Sequence, residues 1–222
     1  MILSANQPYI FPYLTYYQLI YSSDIFIFGD NLNFSQNKYV FSNVISNKYD
    51  NNFVFNVPIE EKSSRKKINE LKVHEFINTK NYLFKKLLSV YGRKNVNTDV
   101  YDLLNETFNS EYVSIISSNS IINSFKYLNI ERDFHFLSDI QGFNEQVPKE
   151  NRIINLCKKF KCETYINLPG GKSLYDKKYF HSNGIKLEFI SSNLISKTSF
   201  LDILFRYPKD EIISLLNQYS LT

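Results

Sequence analysis

The side chains that could carry acid–base or nucleophilic chemistry are few, and most are easily placed. Asp30 follows the run Asp24-Ile25-Phe26-Ile27-Phe28-Gly29. That puts a carboxylate at the carboxyl end of an apolar strand, where open α/β sheets keep their ligand groups and where a general base could stand. Gln7 lies beyond the carboxyl end of another short strand, and Pro8 restricts its backbone, so its amide points in a set direction suited to a substrate or oxyanion contact. The stretch Tyr165-Ile166-Asn167-Leu168-Pro169-Gly170-Gly171-Lys172-Ser173-Leu174-Tyr175-Asp176 reads as strand, glycine turn and helix start. Gly170 and Gly171 permit positive φ and close backbone approach, and Ser173 would cap a helix with Asp176 in its first turn. Such an end offers N–H groups to a phosphate or carboxylate. An ordinary strand-to-helix turn fits the same residues. Tyr13 and Tyr175 suit stacking on a base or sugar, hydrogen bonding, or half-buried packing.

The remaining candidates divide between site and scaffold. His181, just past the glycine-turn helix, could reach the same site as a base; a surface role at a helix end is the alternative. His135, between Phe134 and Phe136, reads as a core histidine. Cys157 follows Ile153 and Ile154 at helical spacing, as an inert buried thiol would. No HExxH, paired-cysteine, GxSxG, Walker or GxGxxG pattern is present, so neither a metal nor a cofactor is expected, nor an α/β-hydrolase nucleophile.

Positioning these groups falls to an alternation of strands and helices. Ile2 to Ala5, a helix around Tyr16 to Tyr21 and the strand Asp24 to Phe28 form a strand–helix–strand opening, which implies a parallel pair. A β insert over about 38–58 follows, with strands Tyr39 to Ile45 and Phe53 to Val57. Three helices come next: Asn78 to Tyr91, closed by Gly92; Thr98, as a cap, to about Phe108; and one from Ser110 through Leu128. Alternation resumes with a strand at Phe134 to Leu137 and a helix at Lys149 to Phe160. The Tyr165 strand and a helix running to about Phe180 follow, then the strand Ile185 to Ile190 and two closing helices split by Pro208. The prediction is one α/β domain over 1–222: a mostly parallel sheet flanked by helices, with a small β insert and a helical middle section.

Composition narrows the class. In 222 residues, 43% hydrophobic and 16% aromatic, there is material for a sizeable core. A net charge of +4 and one basic run, Lys62 to Lys67, read as a solvated loop rather than a nucleic-acid surface. Cys157 and Cys162 make no disulfide framework, and no apolar stretch approaches the length of a spanning helix. A soluble protein of a reducing, cytoplasmic compartment is expected, without membrane insertion and without nucleic acid as a specific target; self-association is left open.

The motifs add a resemblance. Asn6-Gln7-Pro8-Tyr9-Ile10-Phe11-Pro12-Tyr13 with Tyr17-Gln18-Leu19-Ile20 looks like the opening of the WbqC-like family. Tyr165-Ile166-Asn167, Gly170-Gly171, Leu174-Tyr175-Asp176, Phe180 and Gly184-Ile185-Lys186-Leu187 resemble its second signature, and Ser199 to Leu204 its close. Departures are Gly29-Asp30 where the family has two aspartates, and Ser42-Asn43-Val44 where it has Arg-Asn-Arg. Two cations that could clamp an anionic substrate are therefore missing. The resemblance implies a role in bacterial surface polysaccharide (O-antigen) biosynthesis. The implied reaction transfers an acyl or aminoacyl group, for instance glycyl, to the amine of a nucleotide-linked amino sugar. On that reading Asp30 is the base, with His181 as a further catalytic candidate. Gln7, Pro8, Tyr13 and Asn43 orient the substrate, and Gly170, Gly171, Lys172, Tyr175 and Asp176 hold the diphosphate or a carboxylate. The alternative is a non-catalytic binding or scaffold protein with the same ligand.

Overall fold

The computed structural model describes residues 1–35, 37–47, 49, 51–92, 98–143, 145–192 and 198–222. Its frame is a six-stranded sheet in the order β5-β2-β1-β6-β7-β8. The strands are β1 (Ile2–Asn6), β2 (Ile25–Phe28), β5 (Asp133–Phe136), β6 (Thr164–Asn167), β7 (Lys186–Ser191) and the short β8 (Ser220–Leu221). The first five run parallel, and β8 pairs antiparallel with β7. β2 is apolar and buried at all four positions because both faces of the sheet are covered.

The faces are legible in the alternation of the strands. Phe26, Phe28 and Ile166 point to one side. There they pack with α1 (Leu14–Tyr21), α4 (Val113–Tyr127), α7 (Phe200–Arg206) and α8 (Lys209–Leu216). Leu3, Ile25, Ile27, Tyr165 and Leu187 point to the other, under α5 (Lys149–Lys159) and α6 (Lys177–Ser182). Cys157 is fully buried in this second core, and burial pushes its thiol up to about 12, so it is an inert packing group. The β insert is a separate antiparallel hairpin, β3 (Ser42–Ser46) with β4 (Asn52–Asn56). It starts later than its sequence suggests because Asn37 accepts from the Tyr39 N–H and closes a 3-10 turn at Lys38–Val40. Two further helices, α2 (Phe76–Tyr91) and α3 (Thr98–Thr107), complete the helical middle. Gly92 ends α2 at φ 85°, as expected for a glycine stop. Among the described residues no helix is long and apolar enough to cross a membrane, and no cluster of three or more His, Cys, Asp or Glu stands where a metal ion could sit.

Candidate functional site

The chain leaves β1 toward β2 and β5 on one side and returns to β6 and β7 on the other, so β1 and β6 flank the point where the strand order reverses. In open α/β sheets the ligand crevice lies beyond the carboxyl ends of the strands at such a point. A cavity of about 740 Å³ opens there. Asn6 and Gln7 enter it from the exit of β1, and Tyr9 and Tyr13 from the following loop. Gly29, Leu32 and Asn33 come from the exit of β2, and Asn167 to Gly171 and Tyr175 from the exit of β6. One face of α5 supplies Lys149, Arg152, Ile153 and Leu156, spaced i, i+3, i+4 and i+7.

The loop after β1 is unusually constrained. Phe11 lies at φ 37°, left-handed backbone that a bulky L-residue rarely adopts. Its N–H donates to Ser120 Oγ (2.8 Å), and its carbonyl accepts from Asn43 Nδ2 and Ser199 Oγ, both at 2.7 Å. Strain of this kind persists only where the surroundings over-determine it. Tyr16 adds a hydroxyl bond to the Gln7 carbonyl (2.6 Å), leaving the Gln7 side chain on the cavity wall. Tyr13 stands beside Tyr39, edge to face at 5.8 Å. Burial pushes its hydroxyl up to about 12, so at neutral pH it can donate a proton to a hydrogen bond.

Two amides at the switch point are pre-oriented in the same way. Asn6 Oδ1 accepts from the Gln7 N–H and Asn167 Oδ1 from the Leu168 N–H, each at 2.8 Å. Pinning the oxygens leaves both Nδ2 groups as donors at the cavity, with no hydrogen bond to a described residue. Gly171 makes room for one of them. A Cβ there would stand 2.5 Å from Asn167 Nδ2, whereas one on Gly170 would meet nothing within 4 Å. Neither glycine has positive φ, so the expected conformational reason does not apply; close packing requires Gly171 instead.

The helix start expected at Ser173 also moves. Gly171, Lys172 and Leu174 N–H groups close tight turns onto Leu168, Pro169 and Gly171 carbonyls. The cap moves three residues, to Asp176, which accepts from the Lys178 N–H at 2.9 Å at the start of α6. The anchor is Tyr175, which packs edge to face on Tyr165 and Phe180.

Of the residues singled out from sequence, Gln7, Tyr13, Gly170, Gly171 and Tyr175 converge on the cavity. The others stand elsewhere. Pro8 is buried behind the wall. Asn43 is buried and fully engaged, donating to the Phe11 carbonyl and accepting from the Val44 N–H, so it shapes the loop rather than facing the cavity. Lys172 lies over the Phe189 ring in a shallow depression beside the main cavity, Asp176 is an exposed cap, and His181 is exposed on α6. Asp30 is buried but off the cavity wall; its carboxylate accepts from the Ser138 N–H at 3.0 Å and ties the end of β2 to the segment after β5. Asp30→Ala is therefore expected to cost about 1–2 kcal/mol of stability, while ligand affinity is retained. Thermal melting and affinity measured on the same variant check this. A stably folded Asp30→Asn that lost turnover a hundredfold would return the residue to the mechanism.

Asn6, Asn167, Lys149 and Arg152 were not singled out, although each carried a signal. The asparagines end strands as Asp30 and Gln7 follow them, and the cations share helical spacing with Ile153 and Leu156. The WbqC-like protein family model matches residues 7–213. The chain belongs to the WbqC-like protein family. The match takes in the exits of β1, β2 and β6 and all of α5, hence nearly the whole wall of the cavity. No curated protein and no solved structure matches this WbqC-like chain.

Proposed function

We propose that this WbqC-like chain binds a nucleotide-linked amino sugar in the switch-point cavity and transfers an acyl or aminoacyl group to the sugar amine, as a step of bacterial surface polysaccharide biosynthesis. One observation carries the reading. The cavity has the size of small-molecule sites, its wall is rich in tyrosines and amides, and among the described residues its charged side chains are all cations. Those features suit a neutral, hydroxyl-rich sugar attached to an anionic group. In the reaction the unprotonated amine attacks the carbonyl carbon of an activated donor, a thioester or ester. The C–N bond forms, the bond to the leaving group breaks with its electron pair, and the amine proton passes to the leaving group or to water. The contribution of the chain is positioning and electrostatics: Gln7 and Tyr13 orient the sugar, and the Nδ2 donors of Asn6 and Asn167 meet the carbonyl oxygen as negative charge develops on it.

A second reading is favoured by one feature of the same wall. No carboxylate or imidazole lines the cavity among the described residues, and a protein that only binds and presents a sugar nucleotide needs none. The test incubates the purified protein with nucleotide-linked 4-amino sugars and acyl or aminoacyl donors. The expected result is a product heavier by the acyl group less one hydrogen. Saturable binding of the sugar nucleotide with no mass shift for any donor would leave the binding role and remove the transferase.

A further inference from the structure

We propose that Lys149 and Arg152, on the first turn of α5, form the phosphate subsite of the cavity, in place of the glycine turn; this rests on the reading that the ligand carries a diphosphate. Much of the turn is taken up by its own hydrogen bonds. The N–H groups of Gly171, Lys172 and Leu174 are consumed by the Leu168, Pro169 and Gly171 carbonyls, so they are not available to an anion.

The helix offers what the turn lacks. Lys149 and Arg152 are one turn apart on the face that also brings Ile153 and Leu156 to the cavity. Neither has a carboxylate within salt-bridge distance among the described residues. The nearby acids are otherwise engaged: Glu145 with Lys67 at 2.8 Å, and Glu150 with the Asp176 N–H at 2.8 Å. Arg152 is also held in place. Its Nε donates to the Val147 carbonyl (2.8 Å) and Nη2 to the Glu145 carbonyl, which fixes the plane of the guanidinium without neutralising it. A fixed guanidinium beside an exposed ammonium is a pairing that phosphate groups recognise. The N–H groups of Lys149, Glu150 and Asn151, ahead of the first helical bond from Arg152 to Pro148, reinforce the same sign of potential. The ligand is thereby oriented, with its phosphates against α5 and its sugar toward Gln7, Asn6 and Tyr13.

The test titrates wild type, Lys149→Gln, Arg152→Gln and Lys172→Gln with inorganic pyrophosphate, with uridine and thymidine diphosphates, and with the corresponding sugar nucleotides. Wild type is expected to bind the diphosphates, each of the two cavity variants to lose roughly ten- to a hundredfold in affinity, and Lys172→Gln to match wild type. Arg152→Gln could loosen the segment its guanidinium holds, so Lys149→Gln decides: its side chain is exposed and makes no hydrogen bond to a described residue. Wild-type affinity in Lys149→Gln, or no binding of any diphosphate by wild type, overturns the subsite. Sugar nucleotides that bind equally well to wild type and both variants overturn it while leaving the sugar-nucleotide reading in place. Diphosphates that bind through the two cations, with no gain from an attached sugar, establish the subsite and remove the sugar-nucleotide reading.

Discussion

Asp202→Ala is expected to lower the stability of the fold by about 3 kcal/mol. Asp202 lies in the first turn of α7 and is only 3% exposed. Its carboxylate accepts from the Ser46 N–H (3.0 Å), the Ser46 hydroxyl (3.1 Å) and the Tyr91 hydroxyl. One side chain thus joins α7, the hairpin strand β3 and the last turn of α2. Burial first, and the negative charge of Asp202 second, raise the Tyr91 hydroxyl well above its ordinary range and keep it a donor. Truncation to alanine strands the Ser46 and Tyr91 donors in a buried place, where each unsatisfied group costs about 1–3 kcal/mol. Arg206 donates to the Ser46 and Asn47 carbonyls, so the hairpin keeps part of its tether and the loss stays short of complete unfolding. Urea denaturation at neutral pH measures the difference. Asp202→Asn retains one acceptor oxygen and should lose about half as much; a cost below about 1 kcal/mol for the alanine variant would mean that water replaces the carboxylate and that packing and the Arg206 bonds hold the three elements.

The other large effect is expected at the glycine turn, and it separates two neighbours that sequence alone treats alike. Gly171→Ala should weaken ligand binding by roughly tenfold or more and cost about 1–3 kcal/mol of stability, while Gly170→Ala should do neither. The added methyl at 171 would stand 2.5 Å from Asn167 Nδ2 and 3.4 Å from the Tyr175 ring. Asn167 cannot swing aside cheaply, because its Oδ1 holds the Leu168 N–H. Relief therefore breaks that bond or displaces the amide from the cavity. At 170 the same methyl meets nothing, and the backbone there does not require glycine. Affinity for a sugar nucleotide and melting temperature, measured on both variants, give the answer. Equal behaviour of the two would show that the turn tolerates side chains generally and that Asn167 is not positioned by Gly171.

Local rules were enough to place most elements. The apolar run Ile25 to Phe28, closed by Gly29, reads as a buried strand and is one, and Ser199 before Phe200 is the cap of α7, its hydroxyl accepting from the Leu201 N–H. Helix and strand periodicity, proline breaks and glycine stops depend on neighbours a few residues away, so one sequence carries them. That is also why the α/β class and the parallel pair β1–β2 were readable from the sequence.

What the sequence alone could not decide was which polar groups at those strand ends face a ligand and which face the protein. Asp30 and Asn43 stand where ligand residues belong, yet their partners are the Ser138 N–H and the Phe11 carbonyl, 108 and 32 residues away in the chain. A side chain drawn to a distant backbone group is turned by that bond, and no local pattern reveals it. The converse holds for Lys149 and Arg152: on α5 alone they are the charged start of an amphipathic helix, and only the packing of α5 on β1 and β6 brings them to the same cavity as Gln7. The residue types and their local conformation were determined by the sequence; the sign of the cavity was decided by tertiary structure, because the carboxylate turns to the Ser138 N–H, off the cavity wall, while helix packing brought in the cations.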